Sequence, residues 1–200
     1  MEAIITGDLI NSRQVEPSEW MPALKKVLKK YGKEPANWEI FRGDSFQLNT
    51  KPEDALMAAI LLKAEIKQWK NLDIRLAIGL GEITYRAAKI TESNGTAFLN
   101  SGECFEELKK QTLAIKTPNK ELDTTLNLMI ELASLTIDKW TETAAKLIKL
   151  KIENPTVNQK DLANLLNKTA QGTISEGLKR GGYDEIQKLL DYYKIKISGL

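Results

Sequence analysis

Histidine is absent from this chain and cysteine occurs once, at Cys104. These scarcities exclude zinc sites, histidine-based triads and Cys-His pairs. They leave carboxylates, lysines, arginines, hydroxyls or an oxygen-held cation as the means of any chemistry. A lone cysteine makes no internal disulfide, which fits a reducing cytoplasm. Long apolar runs are lacking too, since no segment approaches the roughly 18 residues needed to span a bilayer. The opening MEAIITGDLINSR carries Glu2 and reaches Asp8 after only a short apolar run, so the expectation is a cytoplasmic chain without signal peptide or membrane anchor. Excess charge is scarce as well, at a net +2. Residues 1–150 carry 21 Lys and Arg against 21 Asp and Glu, whereas residues 151–200 carry 8 against 6. The small basic surplus thus sits in the last fifty residues, where a nucleic-acid partner would bind.

What is present suffices for a folded domain. A chain of 200 residues with 42% hydrophobic and 28% charged content has the length of one domain, or one domain with an appendage, and the composition of a protein with a real core. Ala3 to Ile10 reads as a buried strand interrupted by Gly7 and Asp8. Glu16 to Tyr31 has a helical period at positions 20, 24, 27, 28 and 31, with Pro17 and Ser18 at its start and Gly32 at its end. Trp38 to Phe41 and Phe46 to Leu48, separated by Arg42-Gly43-Asp44-Ser45, read as a hairpin. Pro52 opens a second helix, whose Leu56, Ala59, Ile60, Lys63, Ile66 and Lys67 positions put the apolar members on one face as far as Trp69. Asp73 to Ile83 alternates Ile74, Leu76, Ile78 and Leu80 as a strand. The resulting β-α-β-β-α-β order is that of the ferredoxin-like split βαβ unit, an antiparallel sheet covered by two helices. The four tryptophans Trp20, Trp38, Trp69 and Trp140 fall on apolar faces and read as core.

Beyond this unit, Ala97 to Leu113 reads as a weaker helix. Asn119 to Ile152 reads as one long helix whose stripe of Leu122, Leu126, Met129, Ala133, Ile137, Trp140, Ala144 and Leu147 packs either on its own domain or on a second subunit. Pro155 marks a boundary, followed by helical segments at Asn158 to Leu166, from Gln171 into the 180s, and at Asp184 to Tyr193. The expected architecture is α/β (α+β): a ferredoxin-like domain over residues 1–118, a long linking helix over 119–153, and an all-α helix-turn-helix tail over 154–200.

Two constellations can carry chemistry. Asp8 and Asp44 each follow a glycine at a strand edge, and the fold sets the first strand beside the hairpin. Two such carboxylates either share a proton or hold a hard cation such as Mg²⁺, or else they only shape turns. Asn11, Ser12 and Arg13, with Gly43 in the hairpin, would then receive the phosphate oxygens of a nucleotide. In the tail, Leu162, Ala163 and Leu166 form the inner face of one short helix and Ile174 and Leu178 that of the next, with the small Ala163 where two helices cross. This is helix-turn-helix spacing with a turn one residue longer than usual, since Ile174 comes eleven residues after Ala163. The outward set Gln171, Thr173, Ser175, Glu176, Lys179 and Arg180 mixes base-reading and phosphate-reading types. A packed helical tail with no DNA partner would show the same apolar spacing.

Several strings resemble a known family. TGDLINSR, FRGDSFQL, IRLAIGLGEI and NGTAFLNSGECFEEL resemble, in order, four landmarks of the class III nucleotide cyclases, and more distantly GGDEF domains. The resemblance implies metal ligation by Asp8 and Asp44. Cyclases also place an Asn and, four residues later, a transition-state Arg after a later Gly turn. The corresponding stretch from Gly95 offers Leu99 and Glu103, or Asn100 and Cys104, and a missing oxyanion-stabilising group costs about 3 to 4 kcal/mol of barrier. The resemblance therefore implies nucleotide or metal binding rather than cyclisation, and assigns no catalytic residue. Over nearly the entire chain the sequence resembles the SatD family. The combined expectation is a DNA-binding regulator whose cyclase-like domain senses a nucleotide or other small-molecule ligand or serves assembly as a homodimer. The alternative is a metal-dependent nucleotidyl-transfer or phosphate-cleaving enzyme using Asp8 and Asp44.

Overall fold

A computed structural model describes residues 1–166 and 171–200, with only the backbone of Gln171. It is a mixed α/β structure in which β1 (Glu2–Ile10), β2 (Trp38–Phe41), β3 (Ser45–Thr50), β4 (Asp73–Gly81) and β5 (Leu113–Lys116) form one sheet in the order β2-β3-β1-β4-β5. All neighbours are antiparallel except β4 and β5, which are parallel. Helices α1 (Pro17–Leu28) and α2 (Ala55–Ile66) connect the first four strands, and α3 (Thr96–Glu107) leads from β4 to β5. The remaining helices are α4 (Lys120–Ile137), α5 (Glu142–Glu153), α6 (Gln159–Leu165), α7 (Gln171–Arg180) and α8 (Tyr183–Ile197). Among the described residues no helix is long and apolar enough to cross a membrane.

The period-two alternation of β1 and β4 divides the sheet into two faces. Ala3, Ile5 and Leu9 join Ile74, Leu76, Ile78 and Leu80 in the main core, with the buried residues of α1 and α2. Ile4 and Thr6 point the other way, Ile4 packing on Ile90 and Ala97 and the Thr6 hydroxyl lying 3.0 Å from that of Ser101. Helix α3 covers this second face so closely that a Cβ on Gly79 would stand 2.1 Å from the Ser101 amide nitrogen.

Two expectations are corrected here. The helix expected to reach Leu113 ends at Glu107, and Leu113–Lys116 is instead the parallel strand β5. That strand would be an open edge, but Asn127 of α4 accepts from the Ile115 N–H (2.9 Å) and donates to the Ile115 carbonyl (2.8 Å) as a neighbouring strand would. The stretch 119–153 is two helices, because Thr141 caps α5 by accepting from the Ala144 N–H and the chain turns at Trp140. Its stripe packs inward: Leu126, Ile137, Trp140 and Leu147 are core, with Leu122, Met129, Ala133 and Ala144 against them.

Helix α2 is buried on every side, including Lys63, Glu65 and Lys67. The sheet and α1 lie on one side, and α5 and α8 close the other. Its charges are answered from α4 and α5 as well as the sheet. Glu65 meets Lys149 of α5 at 2.5 Å, and Lys67 donates to Asp73 (3.0 Å) and to the Asp138 carbonyl (2.9 Å). Tyr193 of α8 donates to the Pro52 carbonyl at 2.6 Å, just before α2.

Burial raises the Tyr193 and Tyr31 phenols above their ordinary value of 10.0 and pushes the Cys104 thiol from 9.0 up to about 12. Each group holds its proton more tightly when folded. Its contribution is therefore complete below the unfolded-state value and is lost as pH rises toward the folded one. Urea melts should show stability falling steadily above about pH 9, with Cys104 alkylated slowly in the folded chain and fast after unfolding. Stability unchanged between pH 9 and 11 would contradict this.

Candidate functional site

The open end of the second sheet face holds the first candidate. In the ladder Asp8 stands opposite Ser45 of β3 on one side and Arg75 of β4 on the other, so all three side chains rise on the same face. Arg75 grips Asp8 bidentately, Nε to Oδ1 at 2.9 Å and Nη2 to Oδ2 at 2.5 Å. That hydrogen bond raises the Arg75 pKa further above its ordinary range. The guanidinium also lies over Phe105 of α3, 5.2 Å from the ring centroid. Asp44 belongs to the hairpin turn, where its carbonyl accepts from the Leu9 N–H (3.3 Å) and its carboxylate from the Ser12 hydroxyl (2.5 Å).

Asp8 and Asp44 thus come from neighbouring strand ends, but each carboxylate has its own partner. Both oxygens of Asp8 are engaged by a cation already, and a Mg²⁺ ion would have to displace it. Among the described residues no three His, Cys, Asp or Glu side chains converge on a point that could hold a metal. As arranged, Asp8 is taken up by Arg75 and Asp44 by Ser12. Of the expected phosphate contacts, Asn11 is left-handed (φ 62°) and donates to the Asn71 carbonyl at 3.0 Å. Arg13 is exposed, and Gly43 (φ 91°) has open space beside it.

The second candidate is α7. Ile174 and Leu178 are buried, as are Leu162 and Ala163 of α6, and Leu166 packs against the same core. Thr173, Ser175, Glu176, Lys179 and Arg180 are exposed, Arg180 pairing with Glu176 at 2.7 Å on the helix surface. The expected turn between the helices falls in residues 167–170, which lie outside the described residues, as does the Gln171 side chain. Gly177 brings α7 close to α5, since a Cβ there would lie 2.6 Å from Leu147 Cδ2. Beside α7 runs a groove of about 650 Å³ whose lining includes Leu135, Trp140, Ala144, Leu166, Thr173 and Arg180.

The model of the SatD family matches residues 2–186, which takes in the whole sheet and α7. The chain belongs to the SatD family. Comparison with the curated proteins gives no match. In this SatD-family chain the residue that sequence reasoning missed is Arg75. Its signal was present, because it is the one charged side chain between Ile74 and Leu80 of β4, and antiparallel pairing with β1 sets it against Asp8. The pairing register, which decides the matter, is not written in the spacing of either strand.

Proposed function

We propose that this SatD-family chain is a DNA-binding regulator in the cytoplasm, with α6 and α7 as a helix-turn-helix and α7 as the recognition helix. The observation that carries this reading is the division of α7. Ile174 and Leu178 anchor it, while Thr173, Ser175, Glu176, Lys179 and Arg180 are left facing water beside a helix whose small Ala163 permits a close crossing.

The N-terminal part is read as a ferredoxin-like, cyclase-type domain kept for ligand sensing or assembly. The order β2-β3-β1-β4, with α1 and α2 on one face, supports this. The Asp8–Arg75 pair favours binding over turnover, since it neutralises the carboxylate that a metal-dependent enzyme would keep free.

The test is selection of bound fragments from random or genomic DNA, then titration of the winner at several salt concentrations. Changing Lys179 and Arg180 together to Ala should weaken binding to all sequences alike and lower the salt slope by about two. Thr173→Ala should change sequence preference and leave the slope nearly intact, because a neutral side chain releases no counterion. Failure of any fragment to bind at low salt would overturn the reading.

A further inference from the structure

Helix α4 carries two apolar faces, and the fold uses one. Leu126, Ile130 and Ile137 are buried, with Leu122, Met129 and Ala133 packed beside them. On the other side Leu128, Leu132 and Leu135 stand 58%, 60% and 62% exposed. Their spacing of four and three continues in both directions, to Thr125 and Glu121 toward the N-terminus and to Lys139 just past the C-cap Asp138. The outer stripe therefore reads Glu121, Thr125, Leu128, Leu132, Leu135, Lys139, with the steps of a coiled-coil seam. Three clustered leucines on a face already supplied with a core elsewhere are more than monomer stability requires.

The order of the stripe names its occupant. Laid antiparallel on itself about Ile130, it sets Leu128 against Leu132 and Thr125 against Leu135. The same reversal sets Glu121 against Lys139 at both ends. A parallel pairing would instead place Glu121 beside Glu121 and Lys139 beside Lys139. Among the described residues neither Glu121 nor Lys139 is in an ion pair. An unrelated partner has no reason to match a pattern that is complementary to its own reverse, whereas an isologous twofold contact requires one.

We infer that two copies of this chain pair through the outer face of α4, antiparallel, with Leu128 of each on Leu132 of the other and Glu121 of each facing Lys139 of the other. This seam is not the stripe with Leu126 and Ala133 that the sequence left open to either its own domain or a second subunit, which the core occupies. It stands independently of DNA binding.

Sedimentation of the full chain should be followed up to about 100 µM, because a single helix pair sits at the small, weaker end of interface sizes. The wild type should become a dimer over that range. Leu128→Glu with Leu132→Glu should stay monomeric throughout with an unchanged circular-dichroism melt, since both sites are exposed in the monomer. Glu121→Lys alone and Lys139→Glu alone should each dimerise more weakly. Their equal mixture should recover the wild-type affinity, because the heterodimer has opposite charges at both ends. A wild type still monomeric at the top concentration would overturn the proposal, as would a dimer that survives the double glutamate change. A mixture no tighter than either single variant would overturn the antiparallel register.

Discussion

Lys63→Met is expected to remove about 3 kcal/mol of stability, or about 6–12 °C from the melting temperature of a chain this size. Lys63 is fully buried on α2, and its ammonium joins four elements of the structure. It lies 3.1 Å from Asp73 Oδ1 at the start of β4 and 3.0 Å from Asp138 Oδ1 at the end of α4. It also donates to the Thr112 hydroxyl (2.8 Å) before β5 and to the Ile74 carbonyl (3.3 Å). Methionine fills the same volume, so little of the loss comes from a cavity. The loss comes from stranding polar groups that have been taken out of water to meet a cation. Lys67 still reaches Asp73 and Asp138 is partly exposed, which holds the loss to the lower end of the range for broken buried pairs. Urea unfolding at neutral pH should show a lower midpoint with the same slope. A change below about 1 kcal/mol would mean that the cluster is neutral to folding.

Gly79→Val should be comparably damaging for the opposite reason, excess rather than loss of atoms. The added Cβ would meet the Ser101 amide nitrogen at 2.1 Å and the Ala97 carbonyl oxygen at 2.4 Å. Both belong to the backbone of α3, which has no rotamer to yield. The helix must lift from β4, at a cost of about 3 kcal/mol, the upper part of the range for overpacked sites. Amide exchange should quicken along α3 before it does in β1 or β3. Gly102 on the same helix is the control, because nothing lies within 4 Å of its would-be Cβ. Gly102→Ala should stabilise by about 0.5–1 kcal/mol, the ordinary gain in helix propensity. Equal effects at the two positions would show that close packing against β4 is not the cause.

How far the sequence disclosed this structure can be judged from single elements. The alternation of β1 and β4 and the Arg42–Ser45 hairpin are local patterns, and they appear where the pattern put them. Strand β5 is four residues long and parallel, so its partner lies beyond α3 and no local period marks it. The stripe from Leu122 to Leu147 kept its threes and fours straight through the break at Trp140. The sign of that break was the capping Thr141. Helix α2 read as one-sided, with Lys63 and Lys67 counted among its ordinary members. Its burial on all sides depends on helices more than fifty residues away, which periodicity does not register. At the candidate site the positions of Asp8, Asp44 and Ser12 were legible as turn and strand-end residues. The Arg75 guanidinium that occupies Asp8 was not, because cross-strand register is a property of two segments together. On α7 the inward Ile174 and Leu178 were legible because both belong to one short helix with a clear period.

The enclosure of α2 has a consequence for the order in which the chain can be made. Its inner side meets β1 and β4 soon after it leaves the ribosome, but its outer cover comes from α5 and α8, and α8 begins about 120 residues later. At elongation rates of roughly 5–20 residues per second, that interval is on the order of ten seconds. For most of it, apolar side chains and the Glu65 carboxylate wait on the nascent surface for partners not yet synthesised. During translation this chain offers a sticky, half-covered helix that a holding chaperone can occupy, and release becomes favourable only when Lys149 and Tyr193 arrive to take its place.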